Sequence, residues 1–167
     1  MSSLLSDEIK AMVGREVTYV APEEIGRASI RYFALAIGDD NQLYASDEYA
    51  RSQGYTSLIA PPTFICETNQ YMSREPDDAG YIGHRWQLPL EGCRELRGGH
   101  EYEFVRPVLP TDRITATWRI ADIQERTSSG GSPMLFVYSE AVYTNQDSEK
   151  LAVNRETIIY QRIGGAT

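Results

Sequence analysis

Cysteine and histidine are scarce in this sequence of 167 residues, which contains two of each. Neither the pair Cys66 and Cys93 nor the pair His84 and His100 has the short ligand spacing of a structural zinc site. Two cysteines also cannot form the several disulfides that staple small secreted domains. We therefore expect no metal, no other cofactor, and a reducing, cytoplasmic setting.

Positive charge and long apolar runs are also in short supply. Lys and Arg number 16 against 24 Asp and Glu, which gives a net charge of −8. Nucleic acids and anionic membranes are bound through clustered Lys and Arg, and no apolar run approaches the roughly 20 residues that cross a bilayer. With Asp7 and Glu8 early in the chain, the N-terminus does not resemble a secretory signal. We expect neither a nucleic-acid partner nor a membrane partner.

The first half of the chain has helical periodicity. Apolar residues recur at helical spacing in 4–13, in 22–38 and from Pro61 onward, where proline suits the first turn of a helix. A short strand is predicted at 17–20, and residues 39–57 form a polar connection between the second and third helices. The buried side of the third helix would consist of Phe64, Ile65, Thr68, Tyr71 and Met72.

The second half alternates apolar and polar residues, which is typical of β-strands with one buried face. Four strands are predicted, over 100–106, 114–120, 135–144 and 151–163. Helices followed by a run of strands indicate an α+β domain, in which a curved antiparallel sheet has a helix against one face. A chain of this length suits one domain over 1–167, burying roughly 70% of the surface exposed when unfolded.

Two motifs flank the polar connection. The first is Gly-Asp-Asp-Asn-Gln-Leu-Tyr at 38–44, and the second is Ile-Ala-Pro-Pro-Thr-Phe at 59–64. Together with residues 30–36 and 101–108, they resemble the MaoC-like group of hot-dog-fold dehydratases and R-specific enoyl-thioester hydratases. The branch that is most similar is the dehydratase domain of type I fatty acid synthases. The resemblance extends in order over nearly the whole chain.

This resemblance implies a fold, a reaction and a partner. The fold is a hot dog: a long sheet wrapped around a central helix, which would begin near Pro61. The reaction is reversible addition of water to a 2-enoyl thioester of CoA or an acyl carrier protein, which gives a 3-hydroxyacyl thioester. Because sites in this family usually form between two hot dog units, a second such subunit is implied, in a homodimer, a heterodimer or a tetramer.

The resemblance also implies candidate catalytic residues in the first motif. Hydration needs a base to activate water, an acid for the α carbon and stabilisation of enolate charge. Complete family members carry an Asp and a His on one loop with an Asn between them; Asp39 and Asn41 match, whereas Tyr44 holds the His position. A tyrosine hydroxyl has a reference pKa of about 10, against about 6.5 for histidine, so Tyr44 is a poor base near neutral pH. It can still orient a water.

The second motif departs from the family pattern as well. Complete members have His-Gly where this chain has Pro61-Pro62, and a backbone N–H at this point usually stabilises the oxyanion. Proline has no N–H to donate, so the donor is either shifted to Thr63 or absent. By the resemblance, the substrate-binding residues are Pro62, Thr63 and Phe64.

Each candidate residue also has a plainer interpretation. Asp39 and Asn41 suit a turn after a helix, and Tyr44 suits a ring packed at a sheet edge. His84 and His100 suit surface or strand-edge positions, whereas Trp86 and Trp118 suit the core or an interface. Cys66 on the predicted central helix suits a buried thiol.

Three functions remain open from the sequence. The first is the His-lacking, substrate-binding subunit of a heteromeric hydratase or dehydratase, and the second is an autonomous homodimeric hydratase that uses Asp39 as base. The third is a non-catalytic protein that binds acyl thioesters. The incomplete Asp-His pair favours the first.

Overall fold

The computed structural model describes residues 3–67 and 69–163, apart from the side chain of Glu67. Five strands form one antiparallel sheet, in the order β1-β3-β4-β5-β2, so that β1 and β2 are its edges. The strands are β1 (Glu16–Val20), β2 (Cys93–Phe104), β3 (Thr115–Thr127), β4 (Pro133–Thr144) and β5 (Lys150–Arg162). The helices are α1 (Asp7–Lys10), α2 (Arg27–Ala36) and α3 (Asp47–Ser52), with 3₁₀ segments Gln42–Tyr44, Pro62–Glu67 and Asn69–Tyr71.

The predicted antiparallel sheet is confirmed, and its strands are longer than the sequence indicated. β4 alternates between buried and half-buried residues along its whole length, as expected for a strand with one face on the core. β2 begins at Cys93, seven residues before the alternation at His100 becomes visible, because most of its residues are exposed and carry little hydrophobic signal. The α+β fold class predicted from the sequence is therefore correct.

The first two helices are shorter than predicted. α1 ends at Lys10 because the following turn leads into the sheet, where the Gly14 backbone N–H donates to the Ile120 carbonyl at 2.9 Å. α2 begins at Arg27 instead of Pro22 because residues before it pair with the 110–112 segment. There the Gly26 N–H donates to the Pro110 carbonyl at 2.8 Å, with the Gly26 φ at +77°, outside the helical range.

The third helix is a 3₁₀ helix and not the α-helix that was predicted. It covers Pro62–Glu67 and is followed by a second 3₁₀ segment at Asn69–Tyr71. Its first bond runs from the Phe64 N–H to the Pro61 carbonyl at 2.9 Å, which is the i to i+3 spacing of a 3₁₀ turn. Among the predicted buried residues, Phe64, Ile65 and Tyr71 are buried. Met72 is 61% exposed, which makes that assignment wrong, and Thr68 lies outside the described residues.

The concave face of the sheet carries the functional part of the core. Cross-strand partners place side chains from four adjacent strands in rows, two of which matter below. One row is Trp118, Ala141, Asn154 and Tyr102, and the next is Ile120, Ser139, Glu156 and His100. Both rows pass from apolar residues on β3 to polar residues on β5 and β2. Along these rows the face is therefore apolar on β3 and polar towards the β2 edge.

Candidate functional site

The loop after α2 uses its polar side chains to make a turn. Gly38 adopts a φ of +71°, and the Asp39 N–H donates to the Ala34 carbonyl at 2.9 Å, which closes the helix. The Asp39 carboxylate accepts from the Asn41 N–H at 3.1 Å, and the Asn41 side chain accepts from the Leu43 N–H at 3.0 Å. Asp39 and Asn41 are both exposed. The turn chemistry suggested by the sequence is therefore present.

Tyr44 points away from this polar turn into the protein. It is buried, and burial raises the pKa of its hydroxyl, with a further contribution from the negative charge of Asp39. A phenol with a raised pKa stays protonated near neutral pH, so Tyr44 can donate a hydrogen bond but cannot act as the base. It lines a cavity of about 310 Å³ together with Tyr55, Pro62, Ile65 and Phe104.

The predicted substrate-binding residues face three different places. Pro62 lines the cavity beside Tyr44, whereas Thr63 lines a larger cavity on the other side of the 3₁₀ helix. Phe64 is buried and stacks on Phe33 with ring centroids 4.6 Å apart. Asp39 and Asn41 line neither of these two cavities as the described residues form them. The six predicted site residues are close in sequence, but the structure does not bring them into one pocket.

The larger cavity, called the inner cavity below, has a volume of about 570 Å³. It lies between the 3₁₀ helix, the segment 80–84 and the concave face of the sheet. Its lining comprises Phe33, Thr63, Cys66, Tyr71, Gly80, Tyr81, Ile82, Gly83, His84, Arg97, His100, Tyr102, Trp118, Tyr143, Asn154 and Glu156. Arg74 fixes the segment 80–84 by donating from its guanidinium to the carbonyls of Ile82 and Gly83.

A charged cluster forms the β2 side of the inner cavity. Glu156 is buried, and burial raises the pKa of its carboxyl, partly offset by His100 and Arg97. The Arg97 guanidinium lies 3.4 Å from the Glu156 carboxylate and 3.1 Å from His100 Nε2, and Nε2 is itself 3.4 Å from that carboxylate. His100 Nδ1 lies 3.3 Å from the Asn154 side-chain oxygen. The imidazole therefore has partners whether it carries one proton or two.

Tyrosine hydroxyls form a further part of the lining. The Tyr71 hydroxyl accepts from the Trp118 indole N–H at 2.9 Å, and burial raises its pKa to about 12. Burial also raises the pKa of Tyr102 and of Tyr143. All three phenols remain neutral near pH 7, and each presents an oxygen that can both donate and accept.

His84 belongs to the same lining and is not the surface histidine suggested by the sequence. Its ring stacks on Trp118 with centroids 4.4 Å apart, and its Nδ1 lies 3.0 Å from the Tyr19 hydroxyl. Burial, with the nearby Arg74 charge, lowers the pKa of His84 to about 3. Nε2 is buried and has no hydrogen-bond partner among the described residues. A neutral imidazole is therefore fixed beside the cavity.

The sequence alone did not identify these residues as a group. Arg97 and His100 lie on β2, whereas Asn154 and Glu156 lie on β5, and only the strand register brings them together. His84 comes from a loop whose position no periodicity predicts. Glu156 was the one available signal, because it shares the inward face of β5 with Ile158 and Tyr160, and a carboxylate on an inward-facing position requires a partner.

Two further observations concern metal sites and membrane-spanning helices. Among residues 3–67 and 69–163, no three side chains of His, Cys, Asp or Glu come together in a way that could hold a metal ion. No helix in the same part of the chain is long and apolar enough to cross a membrane.

Comparison with known proteins identifies the family to which this chain is similar. The family model described as "FAS1-like, dehydratase domain region" matches residues 11–154. A UPF0336 protein of Streptomyces coelicolor is 36% identical over 131 residues, covering 78% of this chain and 81% of that protein.

Solved structures share the fold. The ChsH1–ChsH2 complex from Mycobacterium tuberculosis aligns with a TM-score of 0.72 and 22% identity, over 95% of this chain and 90% of that one. The HadBC (3R)-hydroxyacyl-ACP dehydratase complex of the same organism gives a TM-score of 0.61 and 24% identity, over 87% and 96% of the two chains. These similarities establish the hot dog fold predicted from the sequence.

Proposed function

Because this chain belongs to the FAS1-like dehydratase-domain family, we propose that it is a subunit of a hydro-lyase acting on acyl thioesters. The reaction is the reversible hydration of a 2-enoyl-CoA or 2-enoyl-acyl-carrier thioester to the 3-hydroxyacyl thioester. In this proposal the chain binds the substrate, and a second hot dog subunit supplies the complete Asp and His.

The main support for this proposal is the conformation of the loop at 38–44. Asp39 is exposed, and its carboxylate accepts a hydrogen bond from the Asn41 N–H. Tyr44 lines a separate cavity, and the pKa of its hydroxyl is raised. A base that activates water must lie within hydrogen-bond reach of it and have a pKa near the working pH. Tyr44 fails the second requirement, and it lines a cavity that Asp39 does not line. The loop therefore supports substrate binding better than autonomous catalysis.

The start of the 3₁₀ helix supports the same conclusion. Neither Pro61 nor Pro62 has an N–H, so the usual oxyanion donor is lacking at these positions. Thr63 is exposed and lines the inner cavity, so it is the nearest candidate for a substitute donor. Loss of one oxyanion donor typically reduces turnover by about 10² to 10³.

The free edge of the sheet supports a second subunit. β2 is an edge strand with exposed apolar residues at Leu96 and Phe104, followed by Val105. An edge with unpaired backbone groups and apolar side chains favours pairing with another chain. Both solved structures compared above are, by their names, complexes of two different proteins.

The test is an enoyl-CoA hydration assay with the purified chain, alone and mixed with a hot dog protein that has both the Asp and the His. The neighbouring reading frames are the place to look for that protein. We expect turnover of the chain alone to be at least about 10²-fold below that of the mixture, since misplaced acid-base chemistry typically removes that much rate. Efficient turnover by the chain alone would refute the proposal.

Two variants separate the remaining alternatives. Asp39→Asn removes the candidate base, and Asp40→Asn makes the same change on the next exposed residue as a matched control. We expect both variants to support the mixture within about twofold of the parent, because the partner supplies the base. Substantial activity of the chain alone that is lost in Asp39→Asn and kept in Asp40→Asn would instead favour an autonomous hydratase. Binding of enoyl-CoA without turnover in any mixture would favour the non-catalytic alternative.

A further inference from the structure

The inner cavity has a chemical character that an unsubstituted hydrocarbon chain does not match. The polar groups in its lining include four phenols, two imidazoles, an amide, a carboxyl and a guanidinium, contributed by Tyr71, Tyr81, Tyr102, Tyr143, His84, His100, Asn154, Glu156 and Arg97. Most of these groups are already hydrogen-bonded to protein partners, but the buried Nε2 of His84 has none among the described residues, and a methylene chain that filled this space would leave it without one. Each hydrogen bond left unmade in a buried site weakens binding by roughly tenfold.

The same cavity offers apolar surface at one end. Trp118 and Tyr143 lie on β3 and β4, and Phe33 lines the cavity from α2. The polar residues Asn154, Glu156 and His100 follow on β5 and β2, next to them in the sheet order. A ligand lying across these strands would therefore have its carbon skeleton against rings and an oxygen against the polar cluster.

The charges of the cluster are balanced internally. The one carboxylate, from Glu156, lies 3.4 Å from the guanidinium of Arg97, and His100 lies within reach of both. An anionic ligand would face Glu156, whereas a cationic ligand would face Arg97, so neither has an advantage. Hydroxyl and carbonyl groups match the pattern, because the lining contains neutral donors and acceptors side by side.

We propose that the inner cavity binds the acyl part of thioesters that carry an uncharged oxygen function, a hydroxyl or carbonyl, remote from the thioester and from the carbons that take part in hydration. The proposal rests on the proposed function, since it names the class of acyl group that the subunit selects. The cluster formed by His100, Asn154 and Glu156 provides the contacts to that oxygen, and the Tyr102 hydroxyl lies on the same wall.

The test compares two thioesters that differ by one group. A medium-chain 2-enoyl-CoA and the same compound with a hydroxyl near the end of its acyl chain are titrated calorimetrically into the purified protein. We expect the hydroxylated compound to bind about tenfold more tightly, which is the effect of one well-placed buried hydrogen bond.

Two variants test whether the preference for the hydroxylated thioester arises in the inner cavity. The double variant His100→Phe, Tyr102→Phe replaces two side chains on the exposed edge strand with rings of similar shape, so the stacking between the two positions is retained. We expect it to bind the two thioesters within about twofold of each other, with unchanged or tighter binding of the unsubstituted one. Tyr138→Phe removes a hydroxyl on the outer face of the sheet, where it meets Arg126, and should leave the preference intact.

The outcomes distinguish this inference from the function on which it rests. Equal binding of the two thioesters by the parent protein would overturn the inference and leave the proposed function standing. A preference that survives unchanged in the double variant would also overturn it. Failure of both thioesters to bind would overturn the inference together with the proposed function.

Discussion

At the scale of the residue, His84 couples protonation most directly to folding. It is held neutral by burial against Trp118, and its pKa falls from the ordinary 6.5 to about 3. The unfolded chain takes up a proton at His84 near pH 6.5, whereas the folded chain does not. The unfolded state therefore binds more protons between pH 3 and pH 6.5, and stability must rise with pH across this range. Above pH 6.5, His84 is neutral in both states and its titration costs no stability. The cost to stability grows as the pH falls below 6.5.

This coupling predicts a pH-dependent stability difference. The free energy of unfolding should fall by about 1.4 kcal/mol per pH unit below pH 6 through His84 alone. His84→Phe retains a ring to stack on Trp118 and removes the titration. Urea unfolding of parent and variant between pH 7 and pH 5 isolates the effect, because other groups contribute equally to both. A stability difference that does not change with pH would contradict the assignment.

Single residues also mark what the sequence could and could not predict about the site. Tyr44 in the place of a histidine was visible in the sequence, and so was the missing N–H at Pro62. The polar cluster was not visible, because His100 and Glu156 lie far apart in the chain and meet through the register of β2 on β5. Local motifs identify residues that are neighbours in sequence, whereas a site on a sheet depends on strand pairing.

At the scale of the element, the sheet was easier to predict than the helices. Alternation identified β3 and β4, which each have one face on the core, and richness in Val, Thr, Ile and Tyr identified β5. The helices were misjudged where tertiary contacts override periodicity: Gly26 pairs with Pro110, and the segment from Pro62 forms a 3₁₀ helix. Propensity and period are weak where backbone bonds to a distant segment decide the conformation.

The irregular pairing of β2 leads to a prediction at this scale. The register between β2 and β5 shifts between Arg97 and Gly99, and a Cβ added at Gly98 would meet the Thr157 carbonyl and methyl at 3.0 Å. Gly98→Ala should therefore lower the free energy of unfolding by about 1 kcal/mol or more, since the strand must shift to admit the methyl group. Chemical denaturation measures the loss.

A matched control is available in a turn. A Cβ at Gly130 would have its nearest neighbour at 3.9 Å, which is ordinary van der Waals contact. Gly130→Ala should therefore change stability by no more than about 0.5 kcal/mol. If the two alanine variants were equally stable, close packing at Gly98 would be refuted.

At the scale of the whole molecule, apolar residues exposed on the edge strand β2, which also carries Arg94, Glu95, Arg97, Glu101 and Glu103, support the proposed second subunit. Leu96 on β2 is 38% exposed, and Val105 directly after the strand is 52% exposed. Aliphatic side chains on an unpaired edge are a liability for a monomer, so natural proteins usually cover such an edge or place charges on it.

If a second subunit covers this edge, a charge added there should weaken the association. Leu96→Lys should weaken association with another hot dog subunit, or with a second copy of the chain, by at least about tenfold, because a buried unpaired ammonium is costly. Val13→Lys places the same charge at a residue that is 44% exposed on the turn after α1 and serves as the control. Light scattering coupled to size-exclusion chromatography measures the association. An effect of the same size from both variants would place the interface elsewhere.

The separation between the 38–44 loop and the inner cavity affects how this protein can evolve. Residues 38–42 of the loop are exposed, whereas the cavity is built on four paired strands. Substitutions that remove acid-base groups from the loop therefore leave the folding of the sheet intact, and the sheet can diversify without disturbing the loop. After a gene duplication, one copy could lose its chemistry in a few neutral steps while its cavity continued to adapt to new acyl groups.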